Sequence, residues 1–429
     1  MPLNASYERH LGDRAIASAG DSERVIRVAQ LVYDCIPGAG SDPGIGWHSV
    51  VSASKAGIAV HALTKASNRD AIESVPTPAN VTWHFIDVPE AIGPLETGRT
   101  VGDTAHLARW LTEARDLCTV LAEKGEIDLT HFVTFSAFWM PVPFADIPVP
   151  HVFGPVGGGE RIPRSLEGNL NDRLSANLRS AVQTSFTKAP AWQRLIHAPD
   201  TVVVSAGRAT TERLVGLGAT VFETGATGVL TNELIADLDA IEPLHTGAKT
   251  LVMSGRQLRW KGHDLAIQAM SNVLKSHPDA RLDVLGTGPQ HEQLKELVAE
   301  LGLGHAITFH TNIGRIEERR RIAGAACFIF PSRRDTGSTL VPVVQVLQVP
   351  IAAFATGAIP ASTGGFASLA DPVAHSSPAD SLSKAIIAAL DYPADQLLKG
   401  RAHAIDRHGE ATASAALRRW YEEALSLVP

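Results

Sequence analysis

Cysteine is scarce in this 429-residue chain: Cys35, Cys118 and Cys327 are the only three, and they stand far apart. Three scattered thiols make no disulfide framework and read as reduced, cytosolic residues. Long apolar runs are also missing. No stretch approaches the roughly 18 residues needed to cross a bilayer, and Met1 to Glu23 lacks the apolar core of a signal peptide. Positive charge is in deficit, with 38 Lys and Arg against 45 Asp and Glu and a net charge of −7. That balance argues against bulk binding of nucleic acid, whose partners carry a basic footprint. No ligand cluster with zinc or magnesium spacing stands out, so no metal site is expected. What remains is a globular composition, 45% hydrophobic and 19% charged, too long for one ordinary core. A prior of roughly 150 residues per domain gives two or three.

Strands and helices alternate along the chain in two halves. In the first, Val25 to Tyr33 reads as a strand, Trp47 to Ala56 as a helix, Ile58 to Leu63 as a strand and His106 to Lys124 as an amphipathic helix. Short apolar runs follow at Phe132 to Phe135, His151 to Phe153 and Thr201 to Ser205, with helices near Asp172 to Thr187 and Ala209 to Leu217. In the second half the strands are Thr250 to Met253, Arg281 to Leu285, Ile307 to His310, Ala326 to Phe330 and Pro350 to Phe354. Helices at Asp264 to Lys275, Gln290 to Leu301, Arg315 to Ala323 and Leu340 to Leu347 lie between them. Such repetition predicts right-handed crossovers and two doubly wound α/β domains with mostly parallel sheets. Ligands of such sheets sit beyond the carboxyl ends of the strands, so both halves are expected to aim their loops into a shared cleft. The expected division is a flexible arm at 1–24, a first Rossmann-like domain at 25–230, a linker at 231–248, a second Rossmann-like domain at 249–408 and a C-terminal helix at 409–429 crossing back to the first domain.

Two segments carry the clearest chemistry. After the apolar strand ending at Phe330, Pro331-Ser332-Arg333-Arg334-Asp335-Thr336-Gly337-Ser338-Thr339 opens a helix. Backbone N–H groups at a helix start carry partial positive charge and attract anions, and glycine permits close approach. Upstream, Ser254-Gly255-Arg256-Gln257-Leu258-Arg259-Trp260-Lys261-Gly262-His263 sets an Arg and a Lys five apart after another strand. Two cations and one anion-binding turn suggest a diphosphate. Arg259, Arg333 and Arg334 are placed on the same positive face, whereas Arg319, Arg320 and Arg321 read as a solvated helix face. The glycines of the Gly38 to Gly46 loop either admit a phosphate or sugar to the backbone or serve a turn needing positive φ. Gly154 to Gly159 is a second such turn, with Glu160 expected to project into the cleft. Asp237-Leu238-Asp239 lies on a helical run without a preceding strand and reads as solvated charge.

Five of these motifs, in order, carry a family resemblance: Cys35 to Trp47 with its glycines, Gly154-Pro155-Val156-Gly157-Gly158-Gly159-Glu160-Arg161, the Arg256…Lys261 pair, Leu285-Gly286-Thr287-Gly288-Pro289, and Pro331-Ser332…Asp335-Thr336-Gly337. Together they resemble glycosyltransferase family 4, whose members have the GT-B fold, use nucleotide-sugar donors and retain anomeric configuration. The resemblance implies that Arg256 and Lys261 neutralise the departing diphosphate without a metal, a task fixed cations perform in a partly dry cleft. It further implies that Asp335 contacts sugar hydroxyls, and that Gly38, Gly40, Gly44, Gly46, Gly286, Gly288, Thr336, Gly337, Ser338 and Thr339 surround the donor. Ser41, Asp42, Gly157, Gly158 and Glu160 line the acceptor or sugar site, and His131 meets a sugar hydroxyl or the acceptor. No cofactor is implied beyond the nucleoside-diphosphate sugar, which is a substrate. The partners implied are that donor and a glycan, lipid-linked or small-molecule acceptor, in polysaccharide or related biosynthesis. A cytoplasmic protein, with room for a peripheral place at the inner face of the membrane, fits this reading.

One position departs from the family. Eight residues after Asp335, relatives carry a Glu that binds the donor ribose, and this chain has Val343. Gln345 is about 200° away around the helix and cannot substitute. Three readings stay open: an active retaining glycosyltransferase with an altered ribose contact, a catalytically degenerate GT-B protein partnering an active glycosyltransferase, and a GT-B enzyme of another kind such as a sugar-phosphate epimerase or phosphorylase. If the donor binds in the family manner, Val343 lies beside the ribose.

Overall fold

A computed structural model describes residues 25–88, 100–134, 137–140, 142–168, 170–225, 228–245, 249–373 and 377–427. The arm expected at 1–24 lies outside them. In the first half, β1 (Arg27–Leu31), α1 (Ser41–Lys55), β2 (Ala59–Lys65), α2 (Arg69–Glu73), β3 (Val81–Ile86), α3 (Thr100–Glu123), β4 (Leu129–Phe132) and β5 (His151–Val156) follow one another. Then come α4 (Leu170–Thr187), α5 (Pro190–Ile196), β6 (Thr201–Ser205), α6 (Arg208–Val215) and β7 (Val221–Glu223). The seven strands are parallel in the order β3-β2-β1-β4-β5-β6-β7. Central strands such as β4 and β6 are buried along their whole length, as expected where a parallel sheet is covered on both faces.

After α7 (Asn232–Asp239) the second half repeats the scheme: β8 (Thr250–Ser254), α8 (His263–Ser276), β9 (Arg281–Leu285), α9 (His291–Glu300), β10 (Ile307–His310), α10 (Arg315–Ala323), β11 (Cys327–Phe330), α11 (Leu340–Val346), β12 (Ile351–Phe354), α12 (Ile359–Thr363), β13 (Ser368–Ala370) and α13 (Pro378–Leu390). Its six parallel strands run β10-β9-β8-β11-β12-β13. Two terminal helices, α14 (Ala394–His408) and α15 (Glu410–Ser426), end the chain. Helix α15 leaves the second unit and packs on α1 and the β4–β6 side of the first sheet, contributing Leu417, Trp420, Tyr421 and Ala424 to its core. The two chain crossings run side by side, with Leu230 N donating to His408 O (3.2 Å) and Glu410 N to Leu230 O (3.2 Å).

Several elements differ from expectation. The segment read as linker holds α7, whose start is capped by Thr231 Oγ1 accepting from Leu234 N. Helix α1 starts at Ser41, not near Trp47, so Gly44 and Gly46 are helical. Their role is close packing: a Cβ on Gly44 would lie 2.1 Å from Ala39 O, and one on Gly46 2.2 Å from Asp34 O. The first turn of α1 therefore tucks beneath 34–39, where Ile36 N donates to Pro43 O at 3.0 Å. Helix α10 is not a wholly solvated face, because Arg321 binds both Asp283 (3.0 Å) and Glu317 (2.8 Å). Asp239 of α7 pairs with Arg401 at 2.8 Å.

Candidate active site

The loops at the carboxyl ends of β8 and β11 meet. After β8 the chain turns through Gly255 and Arg256 into a 3-10 turn at Arg259–Lys261. Gly262 ends that turn in the left-handed region (φ 73°), and a Cβ there would lie 2.0 Å from Pro331 O. Only glycine lets the two loops approach so closely. The approach carries Lys261 to Asp335: Nζ lies 3.1 Å from Oδ2 and sits over the Trp260 ring at 4.3 Å. Asp335 is nearly buried, and its oxygens also accept from Gly337 N (3.0 Å) and Ser332 Oγ (3.4 Å). Arg256 is exposed, and its guanidinium has no ion-pair partner among the described residues.

These groups face a cavity of about 710 Å³ between the two units. Ser41 and Asp42 of α1, Gly157 and Gly158 after β5, Arg256, Lys261, Asp335, and Thr336, Gly337, Ser338 and Thr339 all line it. The units touch at its edge, where a Cβ on Gly157 would lie 2.4 Å from Thr336 Cγ2. Burial, and then the charge of Asp34, hold the Asp42 carboxyl above its usual range. The start of α11 is not a free anion seat, since Ser338 Oγ accepts from Leu340 N (3.2 Å) and Val341 N (3.4 Å).

Other expected site residues are elsewhere. His131 is fully buried in β4: Nε2 bonds Gly154 O (2.6 Å) and Nδ1 bonds Tyr421 OH (2.7 Å), whose hydroxyl also accepts from Gln30 Nε2 (2.7 Å). Burial depresses its pKa to about 4. This neutral ring fastens α15 to the sheet and does not line the cavity. Glu160 turns away from the cavity, accepting from Gly158 N (3.1 Å) and Thr210 Oγ1 (3.1 Å), with burial raising its pKa. Gly38, Gly40, Gly44 and Gly46 are not among the lining residues, nor are Gly286 and Gly288. The last two instead support the Arg256 loop, because Cβ atoms on them would lie 2.7 Å from Gly255 O and from Gln257 N. Arg333 is buried, paired with Asp264 and donating to Leu166 O (2.9 Å), so it joins the two units and does not face the cleft. Arg334 stacks over Trp260 at 5.7 Å.

Val343 points into an apolar interior with Val229, Leu230, Leu238, Val346 and Ala404, between α7, α11 and α14. It does not line the cavity, and a ribose beside it would need space that these side chains fill. Conversely, sequence reasoning missed His48, Trp139, Arg407, His408 and Trp420, all of which line the cavity. They come from four places in the fold and no motif gathers them. Trp260 also lines it and sits inside the Arg256…Lys261 run, where its sequence position could have marked it. Burial, with Arg315 adding, lowers the His48 pKa to about 4. Among the described residues no group of three His, Cys, Asp or Glu side chains is placed to hold a metal ion.

Residues 235–393 match the family model described as glycosyl transferases group 1. Over 163 residues the chain is 29% identical to the GDP-mannose-dependent monoacylated alpha-(1-6)-phosphatidylinositol monomannoside mannosyltransferase of Corynebacterium glutamicum, covering 36% of this chain and 42% of that protein. Over 195 residues it is 27% identical to the D-inositol 3-phosphate glycosyltransferase of Corynebacterium aurimucosum, covering 43% and 45%. The chain thus spans less than half the length of these curated relatives. Among solved structures, sucrose-phosphate synthase from Thermosynechococcus elongatus aligns with TM-score 0.66 at 15% identity, over 94% of this chain and 99% of that one. Anabaena HepE in complex with UDP aligns with TM-score 0.58 at 12% identity, over 93% and 100%. Two parallel-sheet units closing on one cavity are the GT-B architecture of these neighbours, and the second unit is the part of the chain that is similar to the group 1 glycosyl transferases.

Proposed function

We propose that the chain is a retaining, metal-independent glycosyltransferase moving a sugar from a nucleoside-diphosphate sugar to a glycan, glycolipid or natural-product acceptor. The observation that carries this reading is the convergence of Arg256, Lys261 and the Asp335–Thr339 loop on one cavity. A departing nucleoside diphosphate gains negative charge, and cations already in place stabilise it without reorganisation. Arg256 has a fork of donors suited to phosphate oxygens, while Lys261 is a compact charge that Asp335 holds ready. As the sugar enters, the Asp335 carboxylate accepts from its hydroxyls. Same-face transfer needs no strong protein base, since the leaving phosphate takes the acceptor proton. A buried and neutral His131 is consistent with that mechanism. The names of relatives and neighbours, a GDP-mannose-dependent enzyme and a UDP complex, support a nucleotide-sugar donor.

A second reading has its own observation. With Val343 packed in an apolar interior, the ribose lacks the carboxylate partner of relatives, as in a GT-B protein that has lost turnover and serves an active partner. A thermal-shift panel of nucleoside diphosphates and their sugars, run with an assay for nucleotide release, tests both. Stabilisation by a diphosphate sugar with turnover supports transfer, and stabilisation without turnover on any acceptor supports the degenerate reading. No shift with any nucleotide sinks both.

A further inference from the structure

Three half-buried guanidiniums gather beside the cavity. Arg179 of α4 and Arg213 of α6 come from the first unit, and Arg334, after β11, comes from the second. Each lies over an aromatic ring: Arg179 over Trp139 at 5.2 Å, Arg213 over Phe138 at 4.8 Å and Arg334 over Trp260 at 5.7 Å. Phe138 and Trp139 meet edge to face at 5.1 Å. Gln183, one turn after Arg179 on α4, accepts from Arg213 Nη1 (2.7 Å), while its Nε2 donates to Gly158 O (3.2 Å). Trp139, Gly158 and Trp260 all line the cavity. A Cβ on Gly158 would lie 3.4 Å from Arg179 Nη2, so the guanidinium stands within contact of a residue that walls the cavity.

The cluster does not balance its own charge. None of the three makes an ion pair among the described residues. Asp335, next to Arg334 in the chain, is paired with Lys261 (3.1 Å), which leaves Glu160 as the carboxylate whose charge reaches all three. The Glu160 oxygens already accept from Gly158 N (3.1 Å) and Thr210 Oγ1 (3.1 Å). Burial, then the charge of Arg334, lowers the Arg179 pKa to about 10, and burial, then the exposed Arg161, lowers that of Arg213. Like charges in a partly dry place repel one another, and guanidinium forks are suited to phosphate oxygens. Three cations against one carboxylate leave an excess of two, which matches a phosphate monoester, close to doubly ionised at neutral pH. We propose that Arg179, Arg213 and Arg334 form a second anion site in the cleft, separate from the Arg256 and Lys261 pair, and that it takes a phosphate carried by the acceptor. Two of the three belong to the first unit, across the cleft from the donor loops, which sets this site apart from the diphosphate. Arg334 comes from the other unit, so a phosphate held here bridges the two. The anion site rests on the arginines alone, and its assignment to the acceptor rests on the glycosyl-transfer reading.

The test is calorimetric titration of the full chain with inorganic phosphate, together with melting in phosphate against chloride at equal ionic strength. The chain should bind phosphate and melt higher as its concentration rises. Arg179→Gln should weaken phosphate binding about tenfold or more and remove most of that stabilisation. Arg256→Gln, in the exposed cation of the diphosphate pair, should change phosphate affinity by less than about threefold. Should Arg179→Gln fail to fold, Arg334→Gln on the second unit gives the same reading. Two phosphate monoesters, glucose 6-phosphate and glycerol 3-phosphate, should compete with inorganic phosphate, whereas glucose and glycerol should not. No phosphate binding by the unaltered chain, or affinity unchanged in both Arg179→Gln and Arg334→Gln, overturns the proposal. So does a loss in Arg256→Gln as large as in Arg179→Gln, which would merge this site with the diphosphate pair. Phosphate binding that neither monoester contests assigns the site to the free ion and overturns the acceptor role. None of these readouts needs a nucleotide, so a failed donor panel leaves the site standing, and loss of the site leaves the donor reading standing.

Discussion

Replacing Val343 with glutamate separates a donor-facing helix from a repacked one. Val343 is 6% exposed among Val229, Leu230, Leu238, Val346 and Ala404. A carboxyl placed there loses water and meets only methyl groups. The nearby guanidinium of Arg401 is already engaged, donating to Val346 O (2.7 Å) and paired with Asp239 (2.8 Å). Burial then raises the carboxyl pKa, each unit costing about 1.36 kcal/mol at neutral pH, so a rise of about two to three units costs about 3–4 kcal/mol. With the lost valine packing the total is roughly 3–5 kcal/mol, and a unit of this size should melt about 6–20 °C lower.

The pH dependence has a definite sign. A folded-state pKa raised above the unfolded value of about 4.3 adds no electrostatic penalty below that pH, and the penalty grows as pH rises toward the folded value. The difference in melting temperature between Val343→Glu and the parent should therefore be smaller near pH 4.5 than near pH 7.5. Val343→Leu, of similar chemistry, should shift melting far less at either pH. Differential scanning calorimetry at the two pH values reads this directly. A well-folded Val343→Glu protein with unchanged melting and tighter binding of a nucleotide sugar would refute the packing argument, because the side chain would then have to face the ribose.

Lys261→Ala should weaken a nucleoside diphosphate at least tenfold more than the bare nucleoside in calorimetric titration, since the ammonium faces charge and not the base. It should also lower the melting temperature, because Asp335 would be left buried without its partner. Chelators should leave transfer unaffected, and activity that needs magnesium would contradict the role given to Arg256 and Lys261. Tyr421→Phe should destabilise by about 1–3 kcal/mol in urea unfolding by orphaning His131 Nδ1 and Gln30 Nε2 together. Acid should unfold the protein early. His48, His131, His151 and His263 are held near 4 and His408 near 3, each mainly by burial. Folded pKa values below the unfolded 6.5 mean that this stability is complete above about pH 6.5 and falls as pH drops toward 4, which a melting series across that range checks.

Legibility in the sequence followed the strength of local signals. Strands Arg281–Leu285 and Ile307–His310 and helix Arg315–Ala323 coincide with their sequence boundaries, since turn residues such as Gly286, Gly314 and Gly324 bracket them. Strands β3, β7 and β13 escaped notice because edge strands are short or half exposed and show no continuous apolar run. Glycines misled at α1, where Gly44 and Gly46 permit a helix to pass close to Asp34 and Ala39. In the site, Lys261, Asp335 and Thr336 to Thr339 could be found because each lies on one contiguous motif. His131 could not be judged locally, since the hydroxyl that satisfies it comes from a residue 290 positions away. His48, Arg407 and Trp420 line one cavity only because α15 returns to the first unit.

Ser338 and Asp335 also change how an anion must be held in this cleft. The sequence puts a helix start below the ligand, and helix starts attract phosphate through free N–H groups. Here Ser338 already accepts from Leu340 and Val341, and Asp335 from Gly337, so three amides of that turn are committed before any ligand arrives. A diphosphate must displace those oxygens or rely on side chains. Asp335 in turn neutralises Lys261, which leaves Arg256 as the cation of this pair without a carboxylate beside it. On the proposed glycosyl-transfer reading, a phosphate that draws Lys261 away would free the Asp335 carboxylate for the sugar hydroxyls. On that reading the Lys261–Asp335 contact supplies both a phosphate-facing cation and a sugar-facing carboxylate.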